Sequence, residues 1–232
     1  PLRDIILWLD KRSVDPNGAM PAKNMMVFKL AGMEPTAKVV YAASAGNWIM
    51  RHEPEIWART AKYVMLPTYL NYKLTGNLID SASNQIGHIP FDYKNRRWMK
   101  PGSLTRCFCD VPNEKLCDLV PSGTVIGAVT EQVSALTGIP AGLPLISTGS
   151  DKGCETLGLA VVDSDKASIS LGTTATIQFS TTQDVEPQQF LPAYPGVLND
   201  HYNPEIEIYR GLWLLSWFVK EFGTADAIDA KE

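Results

Sequence analysis

The sequence predicts an α/β fold, and three stretches carry the prediction. Residues 123–149, "GTVIGAVTEQVSALTGIPAGLPLISTG", read as a β-branched strand, a helix over 130–137 closed by Gly138, a Pro-Gly turn and a buried apolar strand. After Asp151 the helix "CETLGLAVV" gives way to two β-rich runs, "ASISLG" and "TIQFS", around a Gly-Thr-Thr turn, which makes a hairpin. "EIEIYRGLWLLSWFVKEFG" then alternates apolar and polar residues before Gly211 and becomes an aromatic-rich helix stopped near Gly223. Strands and helices taking turns along a chain favour mixed layers of both.

The upstream elements follow from the same signals. "RDIILWLDKRS" is a short apolar run ending in Asp10 and Arg12, as in a buried strand with charges at its C-terminal end. Residues 15–24 are turn-rich. "SAGNWIMRHEPEIWARTAKYVML" gives two helical stretches broken at Pro54, which suits the first turn of the second because its missing N–H costs nothing there. "LPTYLNYKLTGNLID" continues as a helix stopped by Gly76, with a short turn or strand into Asp80. From 81 to 121 the chain is mixed, and reads as loops and short helices over a core.

Composition bounds the function. With 232 residues, 45% hydrophobic and 20% charged, the chain can bury a real core in one large domain or two modest ones. A formal charge of −4, from 21 basic and 25 acidic residues, offers no excess that would draw a nucleic acid or an anionic membrane. No run approaches the length of a membrane span, and the N-terminus lacks the features of a signal peptide, so a cytoplasmic protein is expected. Cysteines 107, 109, 117 and 154 are not spaced as paired C-x2-C ligands; reduced thiols and no metal site are expected. The chain opens on Pro1 and stops inside "ADAIDAKE", which reads as a piece of something longer.

Chemistry concentrates at Asp151 and at Gly172-Thr173-Thr174. If a strand leads into Gly149-Ser150 and a helix starts at Asp151, the carboxylate lies at the sheet edge where open α/β folds bind ligands. A turn of glycine and threonines can hold phosphate oxygens through backbone N–H groups and hydroxyls. Acid plus phosphate turn suggests phosphoryl transfer, with Asp151 accepting the proton of an attacking hydroxyl. By position alone Asp151 suits a helix cap, a role that contributes about 1 kcal/mol, better than a base, and one residue can serve both. Gly and Thr are also common in turns that bind nothing. No G-x-G-x-x-G, G-x-x-x-x-G-K-[ST], H-E-x-x-H or G-x-S-x-G occurs, which removes the main support for dinucleotide oxidoreductases, P-loop enzymes, zincins and α/β-hydrolases.

Taken together, the stretches resemble the FGGY family of carbohydrate kinases. "ILWLDKRS" is similar to its W-x-D-x-R strand, and "WIMRHEPEIWARTAKYVMLPTYLNYKLTGNLIDSAS" to its W…P-E…L-T-G…D-x-S segment. "PLISTGSDKGCETLGLAVVDSDKASISLGTTATI" is similar to its G-G-x-D-(Q/N)…S-x-G-T-(S/T) segment. The resemblance implies parts of two domains of the actin-like ATPase, RNase H-like fold, with ATP on one side of a cleft and sugar on the other. Residues 1–150 would be the end of the N-terminal, sugar-side domain, and 151–232 a hinge helix and the start of the nucleotide-side domain.

It implies Asp151 as the base and Gly172, Thr173 and Thr174 as a phosphate-holding turn, with Gly211 and Ser216 near the nucleotide. Asp151, Lys152, Trp48, Asp10 and Asp80 fall on the sugar side, although Asp10 also fits a surface pair with Arg12 or Lys11 and Asp80 a turn cap. Trp48 and Trp217, on helices, read as core aromatics before ligand contacts, since aromatics carry large buried area.

Mg-ATP and a small sugar or polyol are the implied reactants, and a homodimer is compatible with the family. Three departures stand out: Lys152 where Gln or Asn is usual, Glu155 where a small residue is common, and Asn47 in place of a lysine before the tryptophan. The family's first phosphate loop and its glycine-rich adenosine motif do not occur in these 232 residues, so little phosphoryl transfer is expected from them alone. A non-catalytic sugar or nucleotide sensor, or another actin-like phosphotransferase or ATPase, are the competing readings.

Overall fold

The computed structural model describes residues 1–7, 10–172, 174–187, 191–208 and 210–223. The chain divides into two compact units, Pro1–Ser150 and Asp151–Glu232.

Among the described residues of the first unit, five α-helices precede any strand. They are Ala22–Leu30 (α1), Glu34–Ala43 (α2), Ala45–His52 (α3), Pro54–Arg59 (α4) and Leu66–Thr75 (α5). Their ends follow local chemistry. Ser44 Oγ accepts the Asn47 N–H at 3.4 Å to start α3, prolines occupy the first turns of α2, α4 and α5, and Gly76 stops α5 at φ +82°. A side chain at Gly76 would be strained in that left-handed conformation.

After Ile79–Ser81 (β1) come the short strands Phe91–Asp92 (β2) and Arg97–Trp98 (β3), then Asp118–Val120 (β4) and Val125–Ala128 (β5). The helix Glu131–Thr137 (α6) and the strand Pro144–Ile146 (β6) complete the unit. β1 and β4 pair in parallel, Asp80 opposite Leu119, while β5 pairs antiparallel with β6. One core gathers Val14, Met20, Phe28, Ala37 and Tyr41, with Trp48 against its edge; a second gathers Cys109, Val111 and Leu116 beneath Trp57, Tyr63 and Trp98.

Two expectations are corrected here. Among the described residues of "RDIILWLDKRS" there is no strand; Ile5 and Leu7 lie exposed, and the Asp10 N–H folds back to the Leu7 carbonyl at 3.0 Å. An apolar run becomes a strand only where another strand takes its backbone hydrogen bonds. Trp8 and Leu9 lie outside the described residues. The strand at 144–146 forms, but Ile146 is exposed rather than buried.

The second unit opens on the helix Asp151–Gly158 (α7), followed by Ser168–Leu171 (β7) and Ala175–Gln178 (β8). Tyr194–Pro195 (β9), Tyr202–Asn203 (β10), Glu205–Ile208 (β11) and the helix Trp213–Phe222 (α8) follow. β11, β8 and β7 form an antiparallel sheet in that order. Its registers put Ser168, Gln178 and Glu205 in one row and Ser170, Thr176 and Glu207 in the next on the same face. The opposite face carries Ile169, Ile177 and Ile206, then Leu171, Ala175 and Ile208. The polar rows lie toward α7 with Ser168, Thr176 and Gln178 buried, while Ile169, Ile177 and Ile206 are exposed. Trp217, a core aromatic by its bulk, is 47% exposed on α8.

Candidate active site

Asp151 is the first residue of α7 and is exposed to solvent, as a base acting on a bound hydroxyl has to be. Its Oδ1 accepts the Lys152 N–H at 2.8 Å, so the carboxylate also satisfies one of the unpaired donors at the helix start. The carboxylate is held at the head of the helix by the residue that follows it.

Lys152 points back onto the sheet. Its Nζ donates to Ser170 Oγ at 2.7 Å and to Glu155 Oε2 and Oε1 at 3.0 and 3.3 Å. One turn further along α7, Thr156 is buried, with its hydroxyl 2.9 Å from Ser168 Oγ and bonded to Gln178 Oε1. Gln178 Nε2 donates in turn to Glu205 Oε2 at 2.5 Å. Glu205 titrates above the ordinary glutamate range because burial disfavours its charge and Glu207 adds like charge, against the hydrogen bond from Gln178. Ser170, Gln178 and Glu205 escaped the sequence reading. The alternation in "SISL" places Ser168 and Ser170 on one face and was the available signal.

The turn after β7 is tight. The Gly172 N–H donates to the Thr174 carbonyl at 2.9 Å, and the Gly172 carbonyl accepts from Leu212 N–H at 2.9 Å. The expectation of unpaired amides is corrected for Gly172, whose N–H is used inside the turn. Thr173 lies outside the described residues. Gly211 is buried against the same turn, and a Cβ there would stand 2.0 Å from the Gly172 carbonyl oxygen and 2.7 Å from that of Thr174. Sequence reasoning had placed Gly211 near the nucleotide, and the structure brings it onto Gly172 and Thr174. Ser216 follows on α8 and is exposed.

In the first unit the structure brings Asp10 and Trp48 together through Arg12. Asp10 accepts the Arg12 side chain at 2.7 Å and its backbone N–H at 2.9 Å, and these bonds hold the carboxyl below its ordinary range. The Arg12 guanidinium lies 4.4 Å from the Trp48 ring centroid and that of Arg3 5.5 Å, while His52 stacks at 4.8 Å. Arg3 and His52 were missed, although His52 follows Trp48 at the i, i+4 spacing of helical neighbours.

Asp80 is separate and only 3% exposed. Its oxygens accept from Thr68 Oγ1 at 2.7 Å, Ser81 N–H at 2.8 Å, and Asn84 and Gln85 side chains at 3.2 Å. A buried carboxylate so fully bonded by protein groups ties β1 to α5 and the turn after it. Asn47 is likewise internal, its Nδ2 donating to the Tyr41 and Phe108 carbonyls at 3.0 and 2.8 Å. Among the described residues no group of three His, Cys, Asp or Glu side chains is placed to hold a metal ion, and no helix is long and apolar enough to cross a membrane.

Comparison with known proteins decides the family. The model of the N-terminal domain of the FGGY family of carbohydrate kinases matches residues 1–158. The chain belongs to the FGGY family. An uncharacterized sugar kinase of Escherichia coli K12, YgcE, is 32% identical over 164 residues, covering 70% of this chain and 33% of the relative. The xylulose kinase of the same organism is 24% identical over 229 residues, 97% of this chain and 46% of that enzyme.

Among solved structures, the xylulose kinase of Brucella ovis superposes with a TM-score of 0.74 at 21% identity, over 99% of this FGGY chain and 47% of that one. The FGGY chain therefore has the mixed α/β, actin-like fold of the sugar kinases, and it spans less than half the length of these curated relatives.

Proposed function

We propose that this chain supplies part of a kinase that moves the γ-phosphoryl group of Mg-ATP onto a hydroxyl of a sugar or polyol. The observation that carries the reading is the exposed Asp151 carboxylate at the start of α7, in the same compact unit as the Gly172–Thr174 turn that Gly211 packs against. Asp151 is the base for the acceptor hydroxyl. The Thr174 amide and hydroxyl, with Thr173, are the donors assigned to nucleotide oxygens, since the Gly172 N–H is already used. The magnesium ion enters with the nucleotide and offsets phosphate charge when bound.

On this reading residues 1–150 belong to the sugar-side domain and residues 151–232 begin the nucleotide side. The Asp10, Arg12 and Trp48 group is the sugar-side candidate, a charged pair laid over the indole ring that offers hydrogen-bond donors and acceptors. Asp80, sealed and saturated, keeps the structural role rather than the sugar contact.

The test is Asp151→Asn in the full-length gene product, with ADP release followed across a panel of sugars and polyols. The expected result is a loss of acceptor-dependent turnover of about a thousandfold, with acceptor binding within a few-fold of the parent. Unchanged turnover removes Asp151 as the base.

A further inference from the structure

We infer that Lys152 is a positioning residue, one rung of a two-rung latch that fixes where the base-bearing helix sits along the strand leading into the phosphate turn; this rests on the kinase reading above. The first rung joins Lys152 Nζ to Ser170 Oγ at 2.7 Å, and the second joins Thr156 and Ser168 hydroxyls at 2.9 Å. The rungs run in opposite directions, 152 to 170 and 156 to 168, so α7 descends as β7 climbs. Their spacings match. Four helical residues advance about 6 Å. Two strand residues advance about 6.6 Å.

Two parallel bonds at that spacing resist sliding of the helix along the strand, where one bond would only act as a pivot. Ser170 stands two residues before Gly172, so the latch relates Asp151, adjacent to the first rung, to the turn assigned to the nucleotide.

The lower rung is anchored further by Thr156 on Gln178 and by Gln178 on Glu205, which extends the link across all three strands. The upper rung depends on length. A lysine carries its donor one bond further than a glutamine does and two further than an asparagine, and the ammonium has three donors to share between Ser170 and Glu155. The amide residues usual at this position in the family pattern carry their donors one or two bonds short of the atom that meets Ser170 here, and none of them brings the charge that also holds Glu155. This chain therefore uses that position to set geometry from behind the acid.

The experiment compares Lys152→Met, Lys152→Gln, Ser170→Ala and the Lys152→Met/Ser170→Ala double variant in the full-length gene product. The latch predicts that each single change lowers kcat about tenfold with KM for the acceptor within twofold, and that the double variant is no worse than either single. Glu155→Gln, which keeps the Ser170 rung, should stay within twofold of the parent.

A raised acceptor KM with kcat intact would overturn the inference, because Lys152 would then touch substrate. Multiplicative losses in the double variant would overturn it as well. Hydrogen exchange of the 232-residue chain provides a readout independent of turnover. Ser170→Ala should speed exchange at residues 155–158 at least fivefold without a change in the overall circular dichroism, and unchanged exchange there removes the latch. If the parent protein shows no acceptor-dependent turnover, the kinase reading fails while the exchange result still decides the latch.

Discussion

Glu205 is a carboxylate held where its charge is disfavoured. It lies beside Glu207, receives the Gln178 amide, and senses Lys152 and Asp151 at the head of α7. Because its folded-state pKa lies above the ordinary 4.5, the folded protein holds the proton more tightly than the unfolded chain. Its contribution to stability is therefore lost as pH rises from the unfolded value through the folded one. Glu205→Gln keeps an oxygen for Gln178 and removes the charge. Thermal melts from pH 4 to 8 should show variant and parent alike at the acid end and the variant more stable at neutral pH; a variant less stable at pH 7 would contradict this.

Individual residues also mark the limit of what a sequence discloses. Asp151 was legible because strand, acid and helix occur in order along the chain. Asp80 was ambiguous because only the fold shows that Thr68, from a helix before it, and Asn84 and Gln85, after it, converge on its oxygens. Arg12 on Trp48 depends on a contact across thirty-six positions, which no local pattern encodes.

At the scale of elements, the hairpin turn and the start of α8 are built as one piece. Leu212 N–H reaches the Gly172 carbonyl, and the absence of a side chain at Gly211 lets the two backbones approach. Gly211→Ala would drive a methyl into two carbonyl oxygens that belong to backbone and cannot rotate away. It should cost about 2 kcal/mol or more by overpacking. It should also weaken nucleotide binding more than acceptor binding, measured by denaturant unfolding and by calorimetric titration.

Helices and strands with strong end signals were readable in advance. Pro54, Gly76 and Gly138 punctuate the chain where the structure has boundaries, and the hairpin at 168–178 follows from its turn residues. The parallel pairing of β1 with β4 was not readable, because its partners lie about forty residues apart and each has three residues. α1 and α2 were missed; α1 has no acidic residue in its first turn and no side-chain cap to announce it. The run at 3–12 failed in the other direction, since apolar content favours burial in a sheet but does not supply the neighbouring strand.

At the scale of the whole chain, the family is established by the match over residues 1–158, while the sugar and the partners are matters for the assays above. The mixed α/β fold followed from the order of its segments, but the sidedness of the three-stranded sheet did not. Hydropathy alone would turn the isoleucines inward, whereas the serines, Thr176, Gln178 and Glu205 line the covered side. Besides the exposed row Ile169, Ile177 and Ile206, the apolar α8 also exposes Trp217, Phe218 and Phe222. The purified chain should accordingly raise the fluorescence of an apolar-surface dye such as ANS, and Ile177→Lys together with Ile206→Lys should reduce it.

That inverted sheet reverses the usual map of mutational tolerance. Charged replacements at Ile177 and Ile206 should leave the melting temperature of the 232-residue chain nearly unmoved, as substitutions at wet positions do. Beneath α7 the opposite holds, where even swapping Thr156 for valine, equal in bulk, strands Ser168 and Gln178 without their hydroxyl partner. A deep scan of variants for folding would thus find its sensitive columns among small polar letters and its permissive ones among isoleucines.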